Sequence, residues 1–123
     1  MKILMGCLRH WKIIVKDGID MIVFRAMSVE EAINVSGNNP LAWKSKFKWF
    51  GTEDFVRQRV LDGKFNNSKF KNKYTVLCKY EIVDGIEHFS KCGNRELMLS
   101  IRKAHNVKIK LISKENLYVS NLN

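Results

Sequence analysis

"IVFRAMSVEEA" (residues 22–32) brings together two local signals that decide the fold. An apolar run, 22–24, leads into Arg25, and "SVEE" follows in the form of a capping box. The Ser28 hydroxyl is placed to accept from the backbone N–H of Glu31, whose carboxylate can reach back. The pattern predicts that a strand ends here and a short helix begins at once, over 29–35, stopping near Gly37. Arg25 therefore stands at a strand end. Either its long stem snorkels to the surface, or its guanidinium is held for an anion.

Upstream, "HWKIIVKDGIDMIVFR" (10–25) places two β-branched runs around Asp17-Gly18, a pair suited to a tight hairpin turn. Residues 11–16 and 19–25 are the two expected strands. Downstream, "GNNPL" (37–41) reads as loop. "WKSKFKWF" (43–50) alternates lysines with bulkier residues, as in a half-exposed strand with one wet face and one buried face. "GTEDFVRQRVLDG" (51–63) reads as a helix: Thr52 is its N-cap, Glu53 and Asp54 favour the positive end of the dipole, and Gly63 is its stop.

"KFNNSKFKNK" (64–73) carries Lys64, Lys69, Lys71 and Lys73 with no acid and reads as loop. "YTVLCKYEIVDG" (74–85) suits a central strand closed by Asp84-Gly85. "RELMLSI" (95–101) and "VKIKLIS" (107–113) are also strand-like. In the latter Val107, Ile109 and Leu111 share one face, and Lys108 and Lys110 the other. About six strands and two short helices, without regular alternation, predict an α+β fold on a mixed or antiparallel sheet.

The 123 residues suit one domain, and 46% hydrophobic with 28% charged residues fits an ordinary globular chain. Lys and Arg number 22 against 12 acids, a net charge of +10, which draws the protein to nucleic acid or to an acidic protein surface. Cys7, Cys78 and Cys92 form no C-x-x-C pair, and His10, His88 and His105 fall into no ligand spacing. A reduced, cytoplasmic protein without metal is the expectation. Arg9, His10 and Lys12 interrupt the apolar start, which makes neither a secretory segment nor a membrane span. Phosphate loops of the G-x-x-x-x-G-K-[ST] and G-x-G-x-x-G types are absent from the sequence, as is a G-x-S-x-G elbow.

One ordered set remains: Arg25 at a strand end, Thr52 at a strand-to-helix junction, and Glu96 at the start of a late strand. In this order "VFRAMSVEEA", "FKWFGTEDFVRQRV" and "NRELMLSIRKAHNVKIKLIS" resemble the small ADP-ribosyltransferase-like family, with "YTVLCKYEIVDG" where that family has its long middle strand. The resemblance covers roughly 21–113 and leaves 1–20 as an N-terminal extension or extra strand. It implies transfer of ADP-ribose, or a related group, from NAD to a macromolecular acceptor. By the same resemblance Glu96 is the catalytic carboxylate, Arg25 holds the pyrophosphate, Thr52 braces the pocket, and Phe50 or Trp49 stacks on the nicotinamide. Many protein-modifying members carry Glu or Gln where this chain has Asn94, and the basic charge favours a nucleic acid as acceptor. The loop lysines would then track a nucleic-acid backbone. The alternative function is a non-catalytic basic binding protein that sequesters nucleic acid or blocks a nucleic-acid-binding complex.

Overall fold

The computed structural model describes residues 21–43, 45–62 and 74–117. The expected strand 11–16, its Asp17-Gly18 turn, the helix stop at Gly63 and the lysine segment 64–73 lie outside the described residues. Among these residues six strands form one antiparallel sheet: β1 (Met21–Ser28), β2 (Phe47–Gly51), β3 (Tyr74–Asp84), β4 (Ser90–Lys91), β5 (Glu96–Ser100) and β6 (Lys108–Asn116). Their spatial order is β4-β5-β2-β1-β3-β6. Two α-helices, α1 (Val29–Ile33) and α2 (Glu53–Leu61), join them, with 3-10 turns at Ile86–His88 and Ile101–Asn106. The α+β expectation holds. Among the described residues no helix is long and apolar enough to cross a membrane.

Alternation along β1 explains why both faces of the sheet are covered. Met21, Val23 and Met27 point to the larger core, with Phe50, Cys78, Tyr80, Ile82, Leu97 and Leu99 from neighbouring strands. Phe24 points the other way, where it meets Leu77 and the α2 residues Val56 and Val60. The larger core is roofed by Ala32 of α1 and by Val35 and Leu41 of the connection to β2. The Tyr80 hydroxyl pins that connection by donating to the Pro40 carbonyl at 2.7 Å. On the opposite face Arg57 ties α2 to β6, its guanidinium contacting Glu53 at 2.8 Å and Glu115 at 2.9 Å.

The boundaries correct the sequence reading at Arg25, which lies inside β1 opposite Cys78 of β3 and not at a strand end. β1 runs on to Ser28, which is itself the N-cap of α1, and α1 stops at Ile33 with Asn34 as its C-cap. The two-residue β4 carries no apolar run and had no signal in the sequence. Gly85 closes β3 as expected, at φ +91°, and a Cβ there would lie 2.5 Å from the Asn106 carbonyl oxygen. Only glycine satisfies both the backbone angle and this close approach.

The largest departure is in β2. Its lysine face was expected to be wet, yet Lys48 is 2% exposed, while Phe47 and Trp49 are 47% and 48% exposed. The lysine is drawn inward because a carboxylate waits there.

Candidate functional site

β2 pairs with β5 at five positions, from Phe47↔Ser100 to Gly51↔Glu96, but with β1 at Phe24↔Gly51 alone. Past that pair the two strands part. A split of this kind leaves backbone groups without ladder partners, and burying them unpaired is costly. Arg25 fills the gap: its Nη1 donates to the Trp49 carbonyl at 3.3 Å.

The rest of the Arg25 guanidinium is held by Glu31. Nε donates to Oε2 at 3.0 Å, and Nη2 lies 2.9 Å from both carboxylate oxygens. Lys48 Nζ donates to the same Oε2 at 3.0 Å, and its ammonium sits 5.5 Å from the centroid of the Trp43 ring. The capping box is thus half used. The Ser28 hydroxyl accepts from the Glu31 N–H at 3.1 Å, while the carboxylate goes to two cations, whose charge-assisted bonds are stronger than a return to the backbone. Among the described residues, the Glu31 carboxylate is thus shared by two cations. Side-chain exposure is 12% for Arg25, 14% for Glu31 and 2% for Lys48. Positive charge so little hydrated favours an anion at an open edge of the cluster, which Arg25 reaches.

That edge is the cleft at the split. It has a volume of about 590 Å³ and is lined by Arg25, Ala26, Ser45, Phe47, Trp49, Phe50, Val56, Tyr74 and Glu96, within the roughly 300–1,000 Å³ of small-molecule sites. Arg25, Trp49, Phe50 and Glu96, singled out in the sequence, therefore line one cavity. Their contributions differ. The Phe50 ring is 1% exposed and packs edge-on against Tyr80 and Phe89, both at 5.7 Å between centroids, so it belongs to the core. Trp49 is the exposed ring. Glu96 is half-buried at the first position of β5, and its carboxylate makes no hydrogen bond or ion pair among the described residues.

Thr52 does not line the cleft. Its hydroxyl caps α2 by accepting from the Phe55 N–H at 3.3 Å, and its own N–H donates to the Arg95 carbonyl at 3.2 Å. Thr52 thereby ties the start of α2 to the residue before Glu96. Gly51 permits this closeness, because a Cβ on it would lie 2.7 Å from Val56 Cγ2 and 3.0 Å from the Arg95 carbonyl oxygen. Gly51→Ala is therefore expected to push α2 away from β5, at a cost of about 1–3 kcal/mol. Thermal melting should fall by several degrees. An unchanged melt would show that α2 moves aside freely.

Thiol chemistry has no foothold at the described cysteines. Burial pushes the Cys78 thiol up to about 11, and it packs 3.6 Å from the Met27 sulfur. Burial, with Glu96 nearby, raises Cys92 as well. Both stay protonated near neutral pH.

Sequence reasoning missed Lys48, Phe47 and the charge-pairing role of Glu31. The spacing 31–48 carries no local signal, since only the crossing from α1 to β2 brings these residues together. Comparison of the chain with family models, curated proteins and solved structures gives no match.

Proposed function

We propose that this protein transfers ADP-ribose from NAD to a macromolecular acceptor, a nucleic acid, on an ADP-ribosyltransferase-like fold, with Glu96 as the catalytic carboxylate. The observation that carries this reading is the convergence of Arg25, Trp49 and Glu96, from three different strands, on one cleft. The residues suit the substrate. The Arg25 guanidinium on the cleft wall complements a pyrophosphate, and its Nη1, with the Trp49 carbonyl as its one acceptor among the described residues, has a second N–H to offer it. The exposed Trp49 ring offers the nicotinamide a stacking face.

Cleavage of the nicotinamide–ribose bond builds positive charge on the ribose, as glycoside cleavage does. A carboxylate with no hydrogen bond or ion pair among the described residues, fixed at the start of a strand, stabilises that charge more than it stabilises the ground state. Thr52 acts through position, by holding the start of α2 against the strand that carries Glu96.

The test is thermal stability with and without millimolar NAD. At a hundred times Kd, ligand linkage adds about 2.7 kcal/mol, a shift of several degrees in a domain of this size. The shift should appear in the wild type and vanish in Arg25→Ala, which keeps the Lys48–Glu31 pair but loses the pyrophosphate donor. A wild-type protein that melts identically with NAD would sink the reading.

A further inference from the structure

Among the described residues, Phe47 and Trp49 of β2 stay 47% and 48% exposed on the β4-β5-β2 wing. Phe47 lies opposite Ser100 and Trp49 opposite Met98, so the two aromatic rings share one face of β2, about 7 Å apart along the strand. Trp49 is claimed by the nicotinamide in the reading above. Phe47 is not, and an exposed phenylalanine beside an exposed tryptophan is a patch that water disfavours. At the Phe47 end of the wing the Ile101 N–H donates to the Lys46 carbonyl at 2.9 Å, which ties Lys46 to the start of the 3-10 turn that carries Arg102 and Lys103. All three cations are exposed and none has an ion pair among the described residues. An unclaimed ring bordered by unpaired cations matches one chemistry, a flat base on a phosphate backbone.

We infer that Phe47 stacks a base of single-stranded nucleic acid, whose backbone lies against Lys46, Arg102 and Lys103 while the strand leads along β2 toward Glu96. A duplex keeps its base faces stacked inside and has none to give to Phe47. This surface is thus selective for single strands, DNA or RNA alike. The inference rests on the transfer reading only for what happens at the Glu96 end. Binding itself needs no NAD.

The test uses labelled 12-nucleotide single strands of DNA and of RNA, with the DNA duplex as comparison, read by fluorescence anisotropy without NAD. At least one single strand should bind more tightly than the duplex, and the better of the two identifies the sugar. Phe47→Ala should weaken that binding about tenfold or more, whereas Ile112→Ala, which removes an exposed apolar side chain from β6, should not. Arg102→Gln with Lys103→Gln should lower the slope of log K against log salt by about 1.4. Unchanged affinity in Phe47→Ala, or equal affinity for duplex, overturns the inference. Absence of binding to either strand overturns it too, and would return this surface to an acidic protein partner. Single-strand binding without an NAD shift would keep this inference and remove the transferase.

Discussion

Glu96→Gln should lower nicotinamide release from NAD, measured with single-stranded nucleic acid as acceptor, by about two to three orders of magnitude. The substitution keeps the size and shape of the side chain and removes only the charge. Because the Glu96 carboxylate has no hydrogen bond or ion pair among the described residues, its loss leaves nothing unpaired and the fold should be unaffected. The NAD-induced thermal shift should also persist, since the proposed pyrophosphate contact lies across the cleft at Arg25. The expected signature is a collapse in kcat with binding intact, as follows when an interaction made only in the transition state is removed. Turnover equal to wild type would remove Glu96 from the chemistry and leave the cleft as a binding site.

Local chemistry made most of the fold readable. Ser28 and Thr52 are N-caps because a hydroxyl before an acidic first turn satisfies an otherwise orphaned N–H. Asp84-Gly85 ends β3 because the backbone there is left-handed. What local pattern does not carry is which partner a side chain chooses when two are within reach. Glu31 satisfies a capping box on paper, yet in three dimensions Arg25 and Lys48 outbid the backbone. Lys48 sits in an alternating stretch where either face fits the periodicity, and the choice falls to a carboxylate seventeen residues earlier. The cleft shows the same limit. Its residues are visible one by one, but the split that joins them is a failure of pairing between β1 and β2. A missing ladder has no sequence signature.

That burial of Lys48 gives the cluster a stability consequence that can be measured. Glu31→Gln removes the carboxylate that holds both Arg25 and Lys48, cations whose side chains are 12% and 2% exposed. Breaking a buried ion pair by deleting one partner costs about 3–5 kcal/mol, because the remaining charge stays desolvated and loses a close counter-charge. Here two like charges remain and also repel each other. The melting temperature should fall by about 10 °C or more. Adding Lys48→Met to Glu31→Gln should recover much of the loss, since it removes one buried charge and keeps an unbranched side chain in the core. Inorganic pyrophosphate should stabilise Glu31→Gln more than it stabilises the wild type, because the cluster then loses one negative charge and the anion gains the difference. A Glu31→Gln protein that melts within a degree or two of wild type would mean the two cations are well hydrated. The positive charge assigned to the cleft would then be screened, and Arg25 would be a surface residue after all.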